Sequence, residues 1–390
     1  MPFPLYLLAL AVFVMGTSEF MLAGLIPAAA ADLDVTIGVA GLLTSAFAVG
    51  MVVGAPLMAA FARRWPPRLT LLGCLLAFAG CHAIGALTPD FSVLLVTRVL
   101  SAVATAGFLA VALSTATALV APERKGRALS VLLAGTTIAT VAGVPAGALI
   151  GGALGWRATF WAIALLCIPA ALGVILGIPN ERRAHGDGTP TLRAELGVLA
   201  SPRLILAMTL GAMINAATFA VLTFLAPVVT ETAGLPEVWV PVVLVMFGGG
   251  SFLGVTIAGR LSDRRPGLVL AVGGPLLLVG WVVLASTAAC PVPLIVMVFV
   301  QGMLSFGVGS TLITRVLYAA ADAPSMGGSY ATAALNIGAA AGPVLGAIAL
   351  AGWRVPTAPI WVAGMLVTTA LVIIGATRFA RRRHGAPATR

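Results

Sequence analysis

Two ionisable side chains sit deep inside long apolar runs: Glu19 in VMGTSEFMLAG and Arg98 in LLVTRVLSA. A charge at membrane depth is costly and by default marks a proton or substrate path. Glu19 lies seven residues before the end of its run at Ile26, and Arg98 six residues after the start of its run at Ser92. At 1.5 Å per helical residue both lie roughly 10 Å from the same membrane face. Burial away from water favours a neutral carboxyl, whereas a nearby guanidinium favours a carboxylate. A cycle that alters water access or the distance to Arg98 would therefore load and unload a proton. The other reading of the pair is a structural ion pair that fixes helix packing.

Uncharged polar residues inside the runs offer a second chemistry. Asn215, Gln301 and Asn336 are each candidates to hydrogen-bond a substrate, or equally to bond between helices. Phe219, with Phe224, Phe299 and Phe306, would supply apolar contact in the runs that hold Asn215 and Gln301. His82 reads as a packed residue. The run from Leu129 to Leu149 carries Gly143, Pro145 and Gly147, with Gly151 beyond it; Gly143, Gly147 and Gly151 recur every four residues. Such a face lets a second helix approach closely, and Pro145 permits a bend. This suits either a moving interface or tight static packing.

Other chemistries find no support. The four cysteines form no CxxC pair, and the three histidines show no metal-ligand spacing, so no metal is expected. A phosphate-binding loop needs glycines followed by Lys and Ser or Thr; the sole lysine, Lys125, follows Glu123-Arg124. No ATP site, no cofactor and no catalytic triad is expected, and the chain does not read as an enzyme.

The elements that must position these residues are membrane helices. Of 390 residues 60% are hydrophobic and 9% charged, far below the quarter typical of soluble domains. About twelve runs of near 20 residues are long enough to span a bilayer. They are Leu5–Ile26, Val39–Ala60, Leu69–Leu87, Ser92–Thr117, Leu129–Leu149, Thr159–Ile178, Leu204–Val229, Val238–Ala258, Leu268–Thr287, Val292–Leu312, Ser329–Leu350 and Ile360–Thr377. The first has no Lys or Arg before it and exceeds a signal-peptide core, so it reads as an uncleaved helix.

The charge of +10 is a topology signal. Of the 22 basic residues, 19 fall in one set of loops and the tail, and only Arg157 and Arg354 in the opposite set. The positive-inside rule places the basic loops and both termini in the cytoplasm of a multi-pass protein in the inner (plasma) membrane. This removes the motive for nucleic-acid binding.

The polar stretch 179–203 separates six spans from six. The halves echo one another: Ala62 to Asp263, Gly155-Trp156-Arg157 to Gly352-Trp353-Arg354, and Pro145 to Pro343 recur at offsets of 201, 197 and 198. An even-numbered duplicated unit keeps its orientation, which gives parallel repeats. The expected fold is an all-α membrane protein of two pseudo-symmetric six-helix bundles, 1–178 and 204–378. A cytoplasmic loop, 179–203, joins them, and a basic tail spans 379–390.

These stretches resemble the twelve-helix drug:proton antiporters of the major facilitator superfamily over the full length, and within them the actinomycete chloramphenicol-resistance exporters. The resemblance is carried by GTSEFMLAGLIPAAAADLDV, LLVTRVLSAVATAGF, GTTIATVAGVPAGALIGG and GWRATFW. It implies that Gly143, Pro145 and Gly147 form the antiporter motif, that Arg98 serves proton transfer, and that Gly259, Asp263 and Arg264 in GRLSDRR form a gating loop. In the first half Ala62 replaces the expected acid, and Ser101 and Ala102 replace the usual Gln-Gly. The expected activity is proton-driven export of a small amphipathic drug, chloramphenicol first. A sugar or metabolite exporter of the same fold is the alternative.

Overall fold

In hydrocarbon each backbone N–H and C=O must be paired internally, so long apolar runs fold as helices. The computed structural model describes residues 2–61, 65–121, 124–178, 197–262, 266–323 and 326–383. Among these, twelve helices are long and apolar enough to cross a membrane. They are α1 (Phe3–Phe20), α2 (Ile37–Phe61), α3 (Pro67–Leu87), α4 (Phe91–Ala118), α5 (Lys125–Ile138, continued below), α6 (Trp156–Gly177), α7 (Pro202–Thr223), α8 (Trp239–Ser262), α9 (Pro266–Thr287), α10 (Pro291–Ala319), α11 (Gly327–Trp353) and α12 (Ala358–Arg383).

Local sequence explains where several of them start and bend. Asp90 caps α4, its Oδ1 accepting from the backbone N–H of Ser92 at 2.6 Å. Proline opens α3, α7 and α10, where its missing N–H costs nothing. Inside α5 the ring of Pro145 would press on the carbonyl four residues back. One wide π turn, Ala139–Gly143, comes just before it, and the helix resumes as Val144–Leu154. Pro343, its counterpart by sequence offset, lies inside the unbroken α11. α1 gives way at Phe20 to a 3₁₀ turn, Met21–Gly24, then Ile26–Asp32. α7 stops at the matching place and continues as Leu225–Pro227 and a π turn, Val228–Thr232. α12 runs to Arg383, six residues past the expected end, because no Gly or Pro stops it and arginines suit a helix C-terminus. The expected linker falls outside the described residues over 179–196, as does the tail from 384.

Helices α1–α6 pack chiefly on one another, as do α7–α12, and the two sets meet mainly through α2 on α11 and α5 on α8. One apolar core lies within the first set. A second fills the other set and takes in Ala23, Val144 and Ala148 from the first. At the end opposite the termini, Arg157 ion-pairs with Asp32, donates to the Thr88 carbonyl at 3.0 Å and stacks over Trp156 at 4.5 Å. Trp156 Nε1 also donates to Asp32 at 3.1 Å, so the ends of three elements are tied together.

Glycine contacts make the duplication visible in packing. Gly50 and Gly54 of α2 lie against Val99 and Val103 of α4; Gly250 and Gly254 of α8 lie against Phe299 and Met303 of α10, all at an offset of 200. Gly135 of α5 abuts the α1 backbone at Ala9 and Phe13, and Gly338 of α11 abuts α7 at Ala212 and Ala216, at an offset of 203. A Cβ on Gly250 would strike the Phe299 carbonyl, whereas one on Gly249 would meet only the Phe299 ring, at 3.8 Å. Gly250→Val is therefore expected to destabilise the protein by about 1–3 kcal/mol through overpacking. Gly249→Val should cost clearly less. Thermal unfolding in detergent compares them, and equal losses would refute the close-approach account.

Candidate functional site

Four helices of the first bundle converge on Arg98. Its side chain is 1% exposed. Nη1 donates to Ser18 Oγ at 2.8 Å and Nη2 to the Ser18 carbonyl at 3.0 Å. The guanidinium lies over the Phe47 ring of α2, 4.5 Å from its centre. A desolvated cation gains about 2 kcal/mol from such a ring face. The α1 break explains how a backbone carbonyl is available: just beyond Ser18 the ladder changes from α to 3₁₀ bonding, which loosens the hold on nearby carbonyls. Among the described residues, Arg98 Nε has no hydrogen-bond partner.

Ser18 passes the contact on. Its Oγ lies 2.6 Å from Nε2 of His82 on α3, and His82 Nδ1 lies 2.8 Å from the Phe78 carbonyl. The imidazole is held between the rings of Phe78 and Phe160, at 4.2 and 5.6 Å. The network thus runs from α4 through α1 to α3.

Glu19 is half-buried, one residue beyond Ser18. Its carboxylate is within electrostatic range of Arg98, but the two form no ion pair. Ser18, not Glu19, is the residue that touches the guanidinium. Successive helical residues point about 100° apart, so equal depth does not bring both to one partner. Phe20, next in line, stacks with Phe219 of α7 across the two bundles at 5.7 Å. Close by, Ser45 of α2 donates to the Ala340 carbonyl of α11 at 2.8 Å. Glu19 therefore lies between a buried cation and a contact that joins the bundles.

The glycine stripe of α5 faces α1. Cβ atoms on Gly143, Gly147 and Gly151 would meet Thr17, Met21 and Leu25, which also recur every four residues. Pro145 is buried in the segment that follows the π turn. On its other side this helix touches α8, where Gly248 packs on Thr140 and Val141. The motif helix is thus wedged between the element carrying Glu19 and the opposite bundle.

The remaining expected residues are dispersed. Asn215 Nδ2 donates to the Leu335 carbonyl of α11 at 2.6 Å. Asn336 Nδ2 donates within its own helix to the Thr332 carbonyl at 2.9 Å, and its buried Oδ1 has no partner. Gln301 is 1% exposed and directed at α9, donating to the Leu277 carbonyl at 3.2 Å. The polar end of Gln301 is packed between α9 and α10, which is the interhelical bond its sequence reading allowed beside substrate binding. Phe219 is buried against Phe20, Ala48 and Ala339. Gly259 lies in the last turn of α8, while Asp263 and Arg264 lie outside the described residues.

Ser18 and Phe47 were not singled out in the sequence, and His82, read there as a packed residue, is packed between Phe78 and Phe160 but also belongs to this network. Ser18 is adjacent to Glu19, and His82 lies five residues from the end of its run, at nearly the depth of Arg98. Depth matching applied to neutral polar residues would have found both. At the 200-residue offset Arg98 is answered by Val298 and Phe47 by Phe247, both buried in the apolar core of the second bundle. Among the described residues, the charged site belongs to the first bundle.

The family model described as the Major Facilitator Superfamily matches residues 8–332. A chloramphenicol resistance protein of Streptomyces lividans is 65% identical over 374 residues, covering 96% of this chain and 95% of that one. The inner membrane transport protein YdhP of Escherichia coli is 30% identical, covering 88% of each chain. Among solved structures, a bacterial homologue of the human lysosomal transporter Spinster, inward-facing and unoccupied, superposes with a TM-score of 0.71 at 18% identity. That superposition covers 96% of this chain and 94% of the other.

Proposed function

The chain belongs to the Major Facilitator Superfamily, and from that premise we propose that it exports chloramphenicol from the cell in exchange for protons. The observation that carries the drug assignment is the 65% identity, over nearly the whole length, to a protein named for chloramphenicol resistance. Proton coupling is supported by Glu19 and Arg98, two ionisable groups at membrane depth that lie within electrostatic range of each other without forming an ion pair.

Chloramphenicol is neutral, with an aromatic ring and hydroxyl groups. Binding it takes apolar contact and a few hydrogen bonds, not a countercharge. Phe20 and Phe219 offer aromatic surface where the bundles meet, and the free Oδ1 of Asn336 offers an acceptor on α11. In this reading the bundles rock about that boundary, Glu19 takes a proton from one side and releases it to the other, and Gly259, Asp263 and Arg264 steady one of the two states. The basic loops and both termini face the cytoplasm of the plasma membrane. Drug exchanged for an inward proton is driven by both the pH gradient and the membrane potential, with no nucleotide and no cofactor.

Expression in a drug-sensitive host tests this. Resistance to chloramphenicol is expected to rise, and a protonophore to cancel the rise. Cells or vesicles loaded with labelled chloramphenicol or arabinose then separate drug from sugar export. Efflux of arabinose alone, or resistance unaffected by the protonophore, would overturn the reading.

A further inference from the structure

The hydrogen bonds around His82 admit one direction of donation. A carbonyl only accepts, so Nδ1, 2.8 Å from the Phe78 oxygen, must carry a proton. Arg98 Nη1, 2.8 Å from Ser18 Oγ, only donates. The single hydroxyl proton of Ser18 must therefore point elsewhere, and Nε2 of His82 stands 2.6 Å away. The chain reads Arg98 N–H to Ser18 O–H to His82 Nε2, with Nδ1–H to the Phe78 carbonyl. Each group is satisfied only by a neutral ring protonated at Nδ1. Phe78 and Phe160 hold that ring on both sides, and it is 1% exposed.

We infer that His82 is a positioning residue of the coupling site: as a neutral, Nδ1-protonated acceptor on α3 it orients Ser18, and through Ser18 it holds the guanidinium of Arg98. Its part is acceptance of a hydrogen bond, not carriage of a proton. A ring protonated on both nitrogens would donate from Nε2, leaving the Ser18 hydroxyl between two donors with no acceptor for its own proton. Ser18 would have to turn, and Arg98 would lose its bond to the hydroxyl, keeping only the one to the Ser18 carbonyl. This role in transport rests on the proposed proton coupling; the tautomer does not.

Two measurements test it. The first uses the full chain in lipid nanodiscs with ¹⁵N-labelled histidine and with His185→Gln and His384→Gln, so that His82 alone is observed. A protonated Nδ1 and an unprotonated, hydrogen-bonded Nε2 are expected at neutral pH. An Nε2-protonated ring or an imidazolium as the main species would overturn the inference, whether or not the chain transports drug. The second compares His82→Gln, whose carboxamide oxygen reaches the Nε2 position, with His82→Leu. Losing a buried acceptor is expected to lower the maximal efflux rate about tenfold in His82→Leu at unchanged drug affinity. His82→Gln should recover it to within about threefold. If His82→Gln is as slow as His82→Leu, or His82→Leu as fast as the parent, the positioning role is wrong. Should His82→Leu fail to fold, the tautomer and the His82→Gln rate still decide.

Discussion

Glu19→Gln is expected to abolish proton-driven drug accumulation while leaving downhill exchange of drug intact. The substitution keeps the shape and hydrogen-bonding reach of the side chain and removes only its ability to hold and release a proton. The carboxylate is half-buried and, among the described residues, takes no ion-pair partner, so no direct contact in the packing depends on its charge. Arg98 keeps its two bonds to Ser18 and its seat on Phe47, which Glu19 does not share. A purely structural loss is therefore not the expected outcome. In inverted vesicles an imposed pH gradient should no longer concentrate labelled chloramphenicol. Exchange of labelled for unlabelled drug, which needs no net proton movement, should persist. Gradient-driven uptake at the parental level in Glu19→Gln would remove Glu19 from the coupling reaction.

The reading of Glu19 and Arg98 shows what a sequence of this kind carries. Charge in an apolar run is conspicuous against a chain that is 9% charged, and run boundaries fix depth to within a turn. Both therefore point to one level of the membrane. What depth cannot supply is the angle around each helix. Ser18 and Glu19 are neighbours in sequence, yet only Ser18 meets the guanidinium. Gln301 illustrates the same gap: its position in α10 was legible, its direction toward α9 was not. Glycine behaves likewise. The spacing of Gly143, Gly147 and Gly151 announces close approach, but not that the approaching surface is α1. The duplication was legible from three short echoes near an offset of 200. The four glycines that realise it in packing, Gly50, Gly54, Gly250 and Gly254, were not, because a glycine inside a membrane run is too common to stand out until its neighbour is known.

Arg98→Leu is expected to leave a stable protein that does not couple. A buried charge seldom stabilises a fold: the cost of removing it from water commonly matches what its partners return, and an apolar replacement of similar bulk is often neutral or better. Here the returns are two hydrogen bonds, both to Ser18, and one ring face, with Nε left unpaired. The second bundle has already made this exchange, setting Val298 where the first has Arg98. The Ser18 hydroxyl is not orphaned by the change, since it still reaches His82; only the Ser18 carbonyl loses its bond from Arg98. The melting temperature of Arg98→Leu should thus stay near that of the parent or rise, a shift of about 1 kcal/mol or less in the unfavourable direction. Gradient-driven efflux should nevertheless fall to background. Arg98→Lys is expected to do the opposite on stability: a single ammonium cannot span Ser18 Oγ and the Ser18 carbonyl as the planar fork does, so a buried cation is left partly unsatisfied. It should melt lower and also transport poorly, by about tenfold or more. Differential scanning on purified variants, run beside the vesicle assay, reads both quantities. If Arg98→Leu unfolds cooperatively and still drives efflux with the gradient, the cation is there for architecture, and the coupling site must be sought at Glu19 without it.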